Sequence, residues 1–370
     1  MALEKEIYKS QRLVLVRFRR AAKGNPDAAR PDLDDRGYTL PDYGPVVGLI
    51  EDHEITVHLI RENIDKEAKL YVASDAPKVV EILALDSKAP LPDLDTMHIR
   101  LKGIEGVGDP KTAKIQVRFG SDTGPIIHEL TAWVFKPYWI RIKPHLVTIS
   151  QTGGGAAAVT TIAGTHLKDI WTLVRAIWKP CGVQFSILPT SNDNIPLTTA
   201  GFISDSGGLN DWREVHTLLN TNWVPKSVNV YFVPRISSNT LGYGLDKKYA
   251  KKEGLPHPGI VVADTESSMI ASGRARDAMW WANTLAHELG HFFQLWHPEK
   301  KNDAQVRKDT WSKRLVMHNY YEIAEFNNWK DNVGYGYNRR GCLISMKDLP
   351  QLITDGECST ARSAIKAGPY

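Results

Sequence analysis

Cysteine is scarce in this chain: Cys181, Cys342 and Cys358 are the only three in 370 residues. An odd count in widely separated positions does not read as the disulfide framework of a small secreted domain. Reduced, packed thiols are the expectation, with a single Cys342–Cys358 bridge as the alternative. Long apolar runs are also missing. The N-terminal stretch MALEKEIYKSQRLVLVRFRRAAKG has no apolar segment of signal-peptide length and no small-residue cleavage site. No run approaches the roughly 20 apolar residues needed to cross a bilayer. A protein that stays inside its producer, or leaves by a signal-independent route, is therefore expected. Charge of one sign is not in excess either. The 46 Lys and Arg stand against 42 Asp and Glu, scattered among one another, for a formal net charge of +4. That pattern argues against a nucleic-acid partner and allows only a mild preference for anionic surfaces or acidic peptides.

What is present is an ordinary globular composition, 42% hydrophobic and 24% charged, in a chain long enough for two domains. The first third reads as β. Short apolar segments separated by turn residues recur at Leu13–Phe18, Ile55–Ile60, Leu70–Ala73, Val79–Leu85, Met97–Leu101, Ala113–Phe119 and Leu130–Phe135. Several alternate with period two, as in Ile115, Val117 and Phe119. Seven such strands predict an all-β sandwich over residues 1–136, faintly similar to immunoglobulin-like modules. From residue 137 onward the pattern becomes mixed. Tyr138–Ile149 reads as a strand, and Leu167, Ile170, Trp171, Val174, Ile177 and Trp178 fall at helical spacing, with Pro180 and Gly182 ending that helix. Helix is again expected at Asn210–Leu219 and from about Asp277, and strands at Val183–Ile187, Val228–Val233 and Gly259–Ala263. The segment Leu241–Leu245, interrupted by Gly242 and Gly244, is either a short edge strand or a loop.

The last of these helices carries the chemistry. His287 and His291 are four residues apart, so on an α-helix their imidazoles project from one face and can share one Zn²⁺. Glu288 lies about 100° around the helix from His287, placed to reach a water on the metal without being a ligand. Zinc lowers the pKa of such a water to about 7, and a neighbouring carboxylate takes its proton. Ala282, Leu285, Leu289, Phe292 and Phe293 give the same helix an apolar face at core spacing.

His-Glu-x-x-His followed by a histidine six positions on, His297, resembles the metzincin zinc peptidases. The order of strands and helices from Tyr138 is similar to the upper subdomain of that family, and Val316-Met317-His318 resembles its methionine turn. The resemblance implies an α+β, metzincin-like zinc peptidase domain over residues 137–370, a twisted mixed sheet with an active-site helix, following the β-sandwich. It implies Zn²⁺ held by His287, His291 and His297, Glu288 as catalytic base, Met317 beneath the metal, and an edge strand at Leu241–Leu245 that binds peptide by backbone pairing. Tyr320, three residues after Met317, is the candidate for a further catalytic role. Some members of the family are kept latent by a cysteine in a preceding segment; no cysteine precedes Cys181 here.

The chain departs from the family at Gln294, where a glycine usually lets the helix stop. In a continued helix His297 would lie about 15 Å along the axis from His287, too far to share a metal. Either Gln294 adopts a left-handed backbone, or the turn falls elsewhere; Pro298 helps by pushing His297 out of the helical region. The competing third ligand is a carboxylate, Glu322 or Glu325, as in thermolysin-like peptidases. The expected activity is zinc-dependent endopeptidase cleavage of a protein or peptide substrate. A zinc-dependent binding module that no longer cleaves is the alternative. By analogy with signal-less effector peptidases, a bacterial effector or toxin with an inhibitor or immunity partner is a further expectation.

Overall fold

The computed structural model describes residues 16–20, 46–104, 111–152, 154, 157–160, 162, 164–197, 203, 212–236, 241–265, 278–295 and 355–368. His297, Met317, Tyr320, Glu322, Glu325 and Cys342 lie outside the described residues. The chain forms two compact units, residues 1–137 with 179–182, and residues 138–178 with 183–370.

Among the described residues the first unit has eight strands: β1 (Val16–Arg20), β2 (Val46–Ile50), β3 (Glu54–Arg61), β4 (Leu70–Ser74), β5 (Val80–Leu83), β6 (Thr96–Gly103), β7 (Lys111–Phe119) and β8 (Ile126–Phe135). They make two four-stranded sheets, ordered β1-β3-β6-β5 and β2-β8-β7-β4. Alternation decides what is buried. Met97, Ile99 and Leu101 of β6 and Ala113, Ile115 and Val117 of β7 point inward and join Val57, Leu59, Leu130 and Val134 in one core. All pairings are antiparallel except β2 with β8.

The second unit centres on a mixed sheet. Its strands are β9 (Tyr138–Gln151), β10 (Ala158–Val159), β11 (Val183–Ile187), β12 (Ser191–Leu197), β13 (Val228–Arg235), β14 (Gly242–Leu245) and β15 (Gly259–Thr265). The long β9 pairs in parallel with β11, β12 and β13 at different points along its length; β13 pairs in parallel with β15, and β14 closes that side antiparallel to β15. β13 is buried on both faces, and its run of apolar residues reads accordingly.

Five helices complete the unit as described: α1 (Gly164–Trp178), α2 (Arg213–Asn220), α3 (Lys247–Lys252), α4 (Ala278–Phe292) and α5 (Asp355–Ala367). α1 and α4 lie against each other on one sheet face, where Trp178 meets Phe293 edge-on at 5.2 Å and Trp171 meets Phe232 of β13. α2 and α3 cover the other face, and their Val215, Leu218, Leu219 and Ala250 join Tyr231, Val233, Val261 and Ala263 in a second core. α5 is tied to the start of β9 by the Arg362 guanidinium, 4.2 Å above the Tyr138 ring.

Cys181, in the short 3₁₀ turn after α1, is buried and disulfide-bonded. This corrects the expectation of reduced thiols.

Candidate metal and catalytic site

α4 is buried along nearly its whole length: Ala282, Leu285, Ala286, Leu289 and Phe292 are all closed to solvent. Its apolar positions are the ones that place it against α1 and the sheet. The same packing leaves the polar Glu288 and His291 where β14 passes, with the His287 ring beside that of His291. His287 is 9% exposed and Glu288 6%. The His287 and His291 rings stand 4.8 Å apart between centroids and nearly perpendicular, at 87°. That spacing suits two imidazoles meeting at one ion with Zn–N bonds of about 2.0–2.1 Å.

The helix stops immediately afterwards, by a left-handed residue. Gln294 has φ of 65°. The Leu295 amide donates to the Gly290 carbonyl at 2.8 Å and the Gln294 amide to the His291 carbonyl at 2.9 Å. This pair of bonds is the Schellman arrangement, in which glycine normally takes the left-handed position. The buried Leu295 supplies its hydrophobic contact. Of the two alternatives at Gln294, the chain takes the strained backbone.

The turn also orients a side chain. His291 Nδ1 lies 2.9 Å from the Leu295 carbonyl oxygen. A carbonyl can only accept, so Nδ1 carries the hydrogen, and in the neutral ring the lone pair is on Nε2. A carbonyl that accepts from the other ring nitrogen fixes a metal-ligating histidine in this way. The donor chemistry therefore fits a zinc ion at His287 and His291. Among the described residues no group of three His, Cys, Asp or Glu side chains comes together; His297 is beyond them.

Glu288 is held by β14. The strand crosses α4 so closely that a methyl group on Gly244 would sit 2.1 Å from the Glu288 carbonyl oxygen and 2.7 Å from His291 Cβ, and one on Gly242 would sit 2.8 Å from Glu288 Cγ. Burial pushes the Glu288 carboxyl up to about 8, partly opposed by the hydrogen bond from the Gly244 amide. The register shows which groups face outward. The Ala263 amide donates to Leu241, so Leu241, Tyr243 and Leu245 hydrogen-bond to β15, and the backbone groups of Gly242 and Gly244 point away from it. Sequence reading took these glycines as interruptions. Their alternation with Tyr243 and Leu245, all four in one strand, was the available sign of a close crossing.

A second polar cluster was missed. His145 of β9 is fully buried, with Nδ1 2.7 Å from Asp193 Oδ2 and 2.9 Å from Ser191 Oγ, and Nε2 3.1 Å from Asn229 Oδ1. Its ring stacks on Tyr231 at 4.2 Å. Asn222 donates to the other Asp193 oxygen, and the Asn229 amide is fixed by donating to Val224 and Ser227. Burial lowers the His145 pKa against the opposing pull of Asn229 and Asp193. The cluster pins β9, β12 and β13 together inside the sheet. The polar run Ser191-Asn192-Asp193-Asn194 was its only sign, and it reads as a turn.

No helix among the described residues is long and apolar enough to cross a membrane. No protein-family profile matches the chain. Over 169 residues, 45% of its length, the chain is 24% identical to a protein of Arthroderma otae named extracellular metalloprotease, and the match spans 54% of that protein. A solved sialyltransferase of Photobacterium damsela overlaps 51% of the chain and 41% of its own at a TM-score of 0.20 and 9% identity, too little for any argument about fold. The chain is thus distantly similar, over about half of each sequence, to a metalloprotease.

Proposed function

We propose that the chain is a zinc-dependent endopeptidase of metzincin type, with His287, His291 and His297 holding the ion and Glu288 acting as base. The observation that carries this reading is the end of α4. The helix terminates at the one point that frees the following segment to turn back, at the cost of a left-handed glutamine, and the same turn sets the His291 tautomer. Left-handed ends are common on helices, but this one falls where the histidine spacing requires the chain to turn back.

When bound, zinc would polarise the substrate carbonyl and acidify the attacking water. The residues of the chain supply the rest. Glu288, shielded from bulk water and hydrogen-bonded to the Gly244 amide, accepts a proton from the attacking water and returns it to the leaving amide nitrogen. The backbone groups of Gly242 that point away from β15, beside the Glu288 side chain, are given the role of pairing with an extended peptide, which would orient the scissile bond over Glu288. Met317 is assigned the turn beneath the ion, and Tyr320 a place near the developing oxyanion. The disulfide at Cys181 favours work in an oxidising compartment, in keeping with an exported enzyme or delivered effector.

Elemental analysis of the purified chain and digestion of an unbiased peptide library test the proposal. One zinc per chain is expected, lost in His287→Ala, His291→Ala and His297→Ala and retained in Glu288→Ala, which does not cleave. Full zinc occupancy in His291→Ala, or loss of metal in Glu322→Ala or Glu325→Ala but not in His297→Ala, overturns the ligand set.

A further inference from the structure

β14 runs directly into α3, whose sequence is Lys-Lys-Tyr-Ala-Lys-Lys. The helix is anchored firmly. Asp246 caps it by accepting the Tyr249 amide at 2.6 Å, the Leu255 amide donates to the Ala250 carbonyl, and Ala250, Leu245 and Leu255 are buried in the core beneath. Tyr249 packs against Trp212 from the start of α2. Tyr249 and Ala250 therefore take the inward side, and Lys247, Lys248, Lys251 and Lys252 share an outward arc of roughly 140°. All four lysines are exposed. Lys252 pairs with Glu253 at 3.1 Å. Lys247, Lys248 and Lys251 have no acidic partner among the described residues.

Lys247 and Lys251, and Lys248 and Lys252, are like-charge pairs one turn apart, an arrangement that works against a helix of this length. Nothing in the packing calls for lysine at these positions, since the inward contacts are made by other residues. The cluster also has a definite place relative to the proposed chemistry. Gly242 and Gly244 cross α4 at Glu288, and Lys247 follows Gly244 by three residues, about 10 Å along an extended chain. A peptide pairing antiparallel with β14, the more stable of the two orientations, runs its N-terminal side toward α3.

We propose that α3 is a specificity surface for acidic polypeptide: Lys247, Lys248 and Lys251 engage Asp or Glu side chains about three to six residues N-terminal to the scissile bond of a peptide paired with β14. The proposal rests on the peptidase reading for its register and deepens it to a substrate class. Exposed ion pairs are individually weak, so the preference comes from three cations acting together, and it fades with salt as the screening length falls from about 10 Å at 0.1 M to about 3 Å at 1 M.

The test is direct binding. Fluorescently labelled extended peptides differing only in Glu against Gln at the upstream positions are titrated by anisotropy against the full chain carrying Glu288→Gln, which prevents turnover. The Glu peptide is expected to bind about tenfold more tightly than its Gln twin at about 0.1 M salt, a difference of about 1.4 kcal/mol. The preference should fall below about twofold at about 1 M salt and in the triple variant Lys247→Gln, Lys248→Gln, Lys251→Gln. It should survive in the corresponding triple arginine variant. The lysine variants change exposed side chains, Glu288→Gln is a near-isosteric change at a buried one, and thermal unfolding verifies that all of them fold. Equal binding of the two peptides, or a Glu preference that persists in the triple Gln variant, overturns the proposal. So does lysine-dependent binding of phosphatidylserine vesicles without any Glu preference. A wild-type chain that cleaves no peptide but keeps the lysine-dependent preference would remove the peptidase reading and leave the acidic-polypeptide surface standing.

Discussion

Replacing Gln294 with glycine should make the protein more stable, and the size of the gain follows from the turn. At φ of 65° a residue with a Cβ carries about 1–2 kcal/mol of local strain, which glycine lacks. Against this, glycine gives the unfolded chain extra backbone freedom, worth about 0.5–1 kcal/mol. The Gln294 side chain is exposed, so its removal loses little packing. The balance is a stabilisation of about 0.5–1 kcal/mol. Gln294→Ala keeps the strained backbone and should be close to neutral. Gln294→Pro is the opposite case: proline cannot adopt this φ, and it removes the Gln294 amide that bonds to His291, so a loss of about 3 kcal/mol or more is expected, with loss of zinc. Urea titration followed by tryptophan fluorescence reports on this region, because Trp178 packs on Phe293 just before the turn. The reading to compare is the midpoint at unchanged slope. If the glycine variant is less stable than wild type, or the proline variant is as stable, the left-handed turn is not what ends α4, and the argument for a returning His297 falls with it.

Gly244→Ala should cost about 1–3 kcal/mol or more, seen as a drop in melting temperature, because the new methyl group meets the Glu288 backbone rather than a movable side chain; a change within 1 °C would contradict the close crossing. Asp193→Ala should destabilise by about 1–3 kcal/mol, since it leaves His145, Ser191 and Asn222 without their shared acceptor, and an unshifted urea midpoint would refute the role of the cluster. For the metal-stripped protein, stability should fall as pH rises from about 4.5 towards 8. The folded Glu288 carboxyl keeps its proton up to about 8 while the unfolded one releases it near 4.5, so the folded state binds more protons across that window. Urea midpoints at pH 5 and pH 8 check this, and Glu288→Gln should remove that part of the slope.

Much of the local structure was legible because one physical effect dominated. The stripe Leu167, Ile170, Trp171, Val174, Ile177 and Trp178 is buried in α1, and the 3₁₀ turn with Gly182 at positive φ follows where Pro180 and Gly182 stood. Of the alternating Ile115, Val117 and Phe119, the first two became the inward face of β7, while Phe119, past the register shift at Val117/Arg118, is exposed. β12 was not legible. Its Ser, Asn, Asp and Pro residues are those of a turn, and only parallel pairing with β9 and the bonds to His145 make it a strand. β2 was passed over for a related reason: Val46–Ile50 is too short to show a period, and its place comes from pairing with β8, far away in sequence. At the site, the spacing of His287, Glu288 and His291 carried its own geometry, since the distances within one helix are known in advance. The Gly244 contact to Glu288 joins two separate elements, and no local pattern encodes it. The bond at Cys181 was missed for the same reason, because spacing alone does not state connectivity.

The crossing of β14 over α4 has a consequence for the chain as it is being made. α4 follows every strand of the sheet, and its helical turns need only near neighbours, whereas β14 must first be set in place by β15, itself aligned on β13 and β9 through contacts between distant residues. Until that assembly is finished Glu288 is an ordinary hydrated carboxylate, with neither the Gly244 amide nor the burial that makes it a stronger base. A nascent or damaged chain can thus carry His287, Glu288 and His291 on a formed helix without the surroundings that set the proton affinity of Glu288. The environment that sets the proton affinity of Glu288 is therefore complete only when the sheet is.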